Sequence, residues 1–114
     1  GVLVEINLTS NDIILCIAGN DHPFLTYLKH GVPLALATDD EVVARINLTH
    51  EYRRAVQSYG LDYTTVKMLS RNSLTYAFIS GKSLWRDAVQ AKPNSACGEI
   101  LWAGLHRRKL ARGF

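Results

Sequence analysis

Residues 2–8 alternate, with Val2, Val4, Ile6 and Leu8 on one face and Leu3, Glu5 and Asn7 on the other, the period of a strand with one aliphatic side. A polar turn is expected over residues 9–12. The stretch HPFLTYLKHG then places Phe24, Tyr27 and Leu28 at helical spacing, with Pro23 suited to the first helical position and Gly31 to the position after the last. Residues 33–38 predict a second strand, in which Leu34 and Leu36 share one face while Ala35 and Ala37 share the other with Asp39. Strand, helix and strand in this order form a βαβ unit, which requires a parallel pair with a right-handed crossover.

Beyond this unit the period lengthens. Leu48, Tyr52, Ala55, Val56 and Tyr59 follow the i, i+4, i+7, i+8, i+11 series of an amphipathic helix, closed by Gly60. Asp62 or Thr64 is suited to cap the next helix, with Val66, Leu69, Ser73, Tyr76 and Ala77 facing inward. A shorter helix is expected over 82–90, then a break at AKPNSACGE and an apolar patch of Ile100, Leu101, Trp102 and Leu105. Glu51 with Tyr52, and Arg71, Asn72 and Ser73, read as ordinary structural helix residues. Parallel strands are normally buried on both faces of a larger sheet, so two of them with a few helices predict a part of a bigger fold. A start inside an apolar segment fits the same expectation.

Composition narrows the class. A chain of 114 residues, 47% hydrophobic, belongs with globular domains rather than disordered segments. Much of its net charge of +3 comes from Arg107, Arg108, Lys109 and Arg112, which cluster with His106 in what reads as a solvated tail rather than a nucleic-acid surface. Cys16 and Cys97 are too far apart in sequence for a zinc knuckle and are expected as free thiols, consistent with a cytoplasmic protein, though secretion stays open. Asn47-Leu48-Thr49 and Asn7-Leu8-Thr9 are glycosylation sequons in a secreted setting, and Asn7 falls at the end of a buried strand. No apolar run approaches the roughly 18 residues needed to cross a bilayer, so no membrane role is expected.

Asp39 and Asp40 stand out. Side-by-side carboxylates at the end of an apolar strand raise each other's pKa unless a cation is near, and in α/β proteins the carboxyl ends of parallel strands face the ligand crevice. The alternative is that one of them caps the following helix or turn. The four histidines, His22, His30, His50 and His106, form no HxH or HExxH pattern and are not expected as ligands.

With its segments in order, the chain resembles the C-terminal part of the adenosine deaminase family of zinc-dependent aminohydrolases. The resemblance rests on VEINLTSN (4–11), HPFLTYLKHGVPLALATDDE (22–41), LTHEYRRAVQSYGL (48–61) and LSRNSLTYAF (69–78). It implies an α/β fold, the C-terminal part of a (β/α)8 TIM barrel, with its last two strands at residues 2–9 and 33–38. Residues 1–91 would form that part and 92–114 an extension with a basic tail. It further implies that Asp39 ligates Zn2+, that Asp40 binds the purine N7, and that Ser10 and Asn11 support the rim behind them. The zinc histidines and catalytic glutamate would lie upstream of residue 1, so no catalytic residue is assigned within these residues. The activity implied is hydrolytic deamination of adenosine or a related 6-aminopurine nucleoside to inosine and ammonia, with the fragment alone inactive. Its partners would be a purine nucleoside and the missing N-terminal barrel portion or another copy of the chain. An AMP or adenine deaminase-type relative and a non-catalytic deaminase-like binding protein are the alternatives. Two positions depart from the family pattern: Glu41 stands where a proline usually follows the aspartate pair, and Leu8 where one usually precedes the Ser-Asn step.

Overall fold

The computed structural model describes residues 1–87, 90–95 and 97. Its first strand, β1, is Val4–Ile6, shorter than the alternation predicts, and Val2 is 84% exposed. The backbone turns at Asn7 and enters helix α1, Leu8–Leu15, at once. The segment expected as a polar turn is therefore helical. Helix α1 buries its first three residues, Leu8, Thr9 and Ser10, and exposes Ile13, Ile14 and Leu15. Burial at one end of a helix leaves no apolar stripe, so the periodic signal is missing.

A single 3-10 turn, Gly19–Asp21, leads into α2, Phe24–Lys29, the short helix the sequence predicts. Gly31 beyond it has φ 67° with open space around the position of a Cβ, so backbone conformation rather than crowding favours glycine there. Strand β2, Leu34–Leu36, pairs parallel with β1 in the register Val4↔Leu34, Glu5↔Ala35, Ile6↔Leu36. The parallel βαβ pair is thus present, and the architecture of the described residues is mixed α/β.

After β2 come the short helix α3, Glu41–Ala44, then α4, Leu48–Tyr59, and α5, Tyr63–Thr75. Asn47 caps α4 by accepting from the His50 amide at 2.9 Å, and left-handed Gly60 (φ 62°) ends it as expected. Asp62, rather than Thr64, caps α5, accepting from the Thr65 amide at 2.8 Å. The buried face of α4 differs from the predicted stripe: Glu51 and Ala55 are fully buried, whereas Leu48 and Val56 are exposed. On α5 the inward residues are Leu69 and Asn72, while Ser73 is exposed, as is Ala77 beyond the end of the helix.

All three residues of β2 are buried because α4 and α5 both pack against it. The core consists of Ile6, Leu8, Phe24, Leu34, Leu36, Ala55 and Leu69, and the Phe24 ring meets that of Tyr59 at a 38° tilt with centroids 4.9 Å apart. Residues 82–90 do not form the expected helix in their described part. Trp85–Asp87 is strand β3, paired antiparallel with β4, Lys92–Pro93. Trp85 and Asp87 are half-buried and Arg86 exposed, a period of two that a helical assignment overlooks. Cys16 and Cys97 are free thiols. Among the described residues no helix is long and apolar enough to cross a membrane. The apolar patch at 100–105 and the basic tail lie outside the described residues.

Candidate functional site

Because β1 and β2 run parallel, their carboxyl ends open on the same side, and the chain leaving each one supplies the polar residues of a shared rim. From β1 come Thr9, Ser10 and Asn11 in the first turns of α1; from β2 come Asp39 and Asp40. Strand β2 ends at Leu36 and Asp39 is left-handed (φ 58°), so the alternation that would align Asp39 with Ala35 and Ala37 stops short of it. Aspartate tolerates this region better than most residues, at a cost that concentrates at functional sites. The Ser10 hydroxyl donates to Asp39 Oδ2 at 2.7 Å, joining the two strand ends across 29 residues. Asp40 occupies the N-cap position of α3 without a capping side-chain bond, and it borders a small cavity of about 70 Å³ with Ser10, Ile13, Ile14 and Val43.

The next residue, Asn11, is held from a third direction. His22 is buried; its Nδ1 accepts from the Phe24 amide at 3.1 Å, which leaves the proton on Nε2 to be donated to Asn11 Oδ1 at 3.0 Å. Burial lowers the His22 pKa below the usual imidazole value, and the positive charge of Arg54 lowers it further. The neutral ring is the form this hydrogen-bond pair needs.

Beneath Ser10, helix α4 grips α1. Glu51 Oε2 accepts from the Thr9 amide at 3.2 Å, and Arg54 donates to the Thr9 hydroxyl at 3.2 Å and pairs with Asp12. Glu51 is wholly buried, and its other oxygen has no hydrogen-bond partner among the described residues. Sequence reasoning treats Glu51 as an ordinary helix residue, yet an acid four residues before Ala55 on an apolar face is a detectable signal. His22 and Arg54 carry no such mark.

The expected residues thus divide. Ser10 and Asp39 meet directly, Asn11 meets His22, and Asp40 lies at the same rim. Among the described residues no three His, Cys, Asp or Glu side chains gather as a metal cluster. Asp39 alone offers an oxygen donor already oriented by a hydroxyl, which suits one ligand of a four-coordinate zinc and no more. A larger cavity, about 390 Å³, sits at the opposite end of β2 beside Val32, Pro33, Asn72 and Trp85, away from the aspartates.

The adenosine deaminase family model matches residues 1–90. The chain belongs to the adenosine deaminase family. Among similar proteins, the adenosine deaminase of Salmonella gallinarum is 40% identical over 91 residues, covering 77% of this chain and 27% of that protein. The adenosine deaminase of Erwinia tasmaniensis is 36% identical over 93 residues, covering 81% of this chain and 27% of that protein. Among solved structures, the apo N6-methyl-AMP deaminase from Arabidopsis thaliana superposes with TM-score 0.64 at 35% identity, over 69% of this chain and 24% of that one. The Arabidopsis ADAL complexed with IMP gives TM-score 0.64 at 34% identity over the same shares. This chain therefore spans about a quarter of the length of the family members it matches.

Proposed function

We propose that these residues form the C-terminal part of a (β/α)8 barrel in a zinc-dependent aminohydrolase that replaces the 6-amino group of adenosine or a related 6-aminopurine nucleoside by a carbonyl, releasing ammonia. The observation that carries this reading is Asp39, left-handed at the carboxyl end of a parallel strand and held there by Ser10. Asp39 would supply one zinc ligand, and the remaining ligands, all histidine, would come from outside these residues. When bound, zinc supplies Lewis-acid activation of water at the purine C6. Ser10 orients the Asp39 carboxylate, His22 and Asn11 stiffen the turn that carries Ser10, and Asp40 accepts or shares a hydrogen bond with the purine N7. One carboxylate cannot build the site alone, so the isolated chain is expected to be inactive.

The exposure of Ile13, Ile14, Val42 and Val43 on α1 and α3, flanking this rim, supports a face covered by the rest of a longer chain. The nucleotide-type neighbours favour one second reading, an AMP-derived substrate. Metal analysis of the full-length protein, with parallel turnover assays on adenosine, AMP and N6-methyl-AMP, tests both. Stoichiometric zinc that disappears in Asp39→Ala is expected; a zinc content unaffected by that substitution would remove the reading.

A further inference from the structure

The polar contacts beneath the rim are unusual in where they originate. Asn7 sits at the N-cap of α1, a position where asparagine commonly bonds the helix's own amides, yet its side chain makes no capping bond. The Thr9 amide is instead satisfied from 42 residues away, by Glu51 of α4. A local cap would stabilise α1 equally well; a remote one additionally fixes where α1 stands relative to α4. One turn further along α4, Arg54 takes the Thr9 side chain and Asp12, so the first turns of α1 are held at three points by a single helix. Stability alone is a weak reason for this arrangement, because a local cap would satisfy the Thr9 amide without burying a carboxylate, one oxygen of which has no hydrogen-bond partner among the described residues. The residue immediately after Thr9 is Ser10, whose hydroxyl reaches Asp39 at 2.7 Å.

We propose that α4, through Glu51 and Arg54, is the positioning element of the rim: it sets the first turn of α1 so that Ser10 aims the Asp39 carboxylate. Glu51 and Arg54 touch neither substrate nor metal in this scheme and are positioning residues. The inference rests on the deaminase reading for what Asp39 then does, but the clamp itself is a relation among residues of this chain. Hydrogen bonds to a ligating carboxylate commonly change metal affinity 10- to 100-fold, approximately the range expected when Ser10 loses its place.

The test uses the full-length protein and reads zinc affinity by competition with a chelator, beside urea unfolding of the metal-free protein. Glu51→Gln, which keeps an acceptor for the Thr9 amide, should bind zinc within about threefold of wild type. Glu51→Met, of similar size without an acceptor, should weaken zinc about 10- to 100-fold. Arg54→Met, at a half-buried position, should weaken it in the same direction, which guards against a folding failure at the fully buried Glu51. Since the clamp acts through Ser10, Ser10→Ala combined with Arg54→Met should bind zinc no more weakly than Ser10→Ala alone. Leu69→Ala, a core change on α5, should lower stability without lowering zinc affinity. Wild-type affinity in both Glu51→Met and Arg54→Met, or effects that simply multiply with Ser10→Ala, would overturn the clamp. A wild-type protein without zinc would instead sink the deaminase reading. The clamp is then decided on the metal-free protein, where non-additive Ser10→Ala and Arg54→Met effects on unfolding sustain it and additive ones overturn it.

Discussion

The Asn72 side-chain amide on α5 donates to the Leu34 backbone carbonyl of β2 at 2.9 Å, with both residues buried. A helix thereby satisfies a strand carbonyl that water cannot reach. Replacing Asn72 by Leu fills the space but leaves that carbonyl unpaired, at a cost of about 1–3 kcal/mol. Urea unfolding of the full-length protein measures it. Wild-type stability in Asn72→Leu would mean that the contact is incidental.

The two aspartates should fail differently. Asp39→Ala is expected to lose bound metal, whereas Asp40→Ala keeps it and loses turnover by roughly 10- to 1,000-fold, the range for removing one well-placed polar contact to the reacting ring. Metal content and kcat/KM measured on the same preparations separate the roles. Equal metal loss in both variants would contradict the division.

His22 predicts an acid-side weakening. Its folded pKa lies below the ordinary imidazole value of 6.5, because burial and Arg54 disfavour the imidazolium. Between that value and the lowered one, the unfolded chain binds a proton that the folded chain refuses, so the His22 contribution is complete above about pH 6.5 and declines as the pH falls. An NMR titration of the His22 ring should show a midpoint below 6.5. A midpoint at or above that value would contradict the buried, neutral ring.

The helix caps offer a contrast in charge. Asn47→Ala should cost about 1 kcal/mol at any pH, because the cap of α4 is a neutral amide oxygen. Asp62 caps α5 as a carboxylate, and its hydrogen bonds to Thr65 lower its pKa below 3.8. Its contribution is present above that value and lost as the pH falls through the lowered one. Asp62→Asn retains an acceptor and should blunt this acid sensitivity, which circular dichroism across an acid titration would reveal.

Local signals in the sequence are enough to specify the parallel βαβ unit, the short helix following Pro23, the Gly60 stop and the aspartate pair, and to narrow the α5 cap to Asp62 or Thr64, because each depends on residues within a few positions of one another. The same reasoning misses α1, whose burial is concentrated at one end, and the hairpin of β3 and β4, whose strands are too short to display a period. Tertiary structure alone decides that Ser10 belongs to Asp39, Asn11 to His22, and Thr9 to Glu51. The partners are separated by 29, 11 and 42 residues, and hydrogen bonds over such distances leave no periodic trace, since any polar side chain can make one and only packing chooses which.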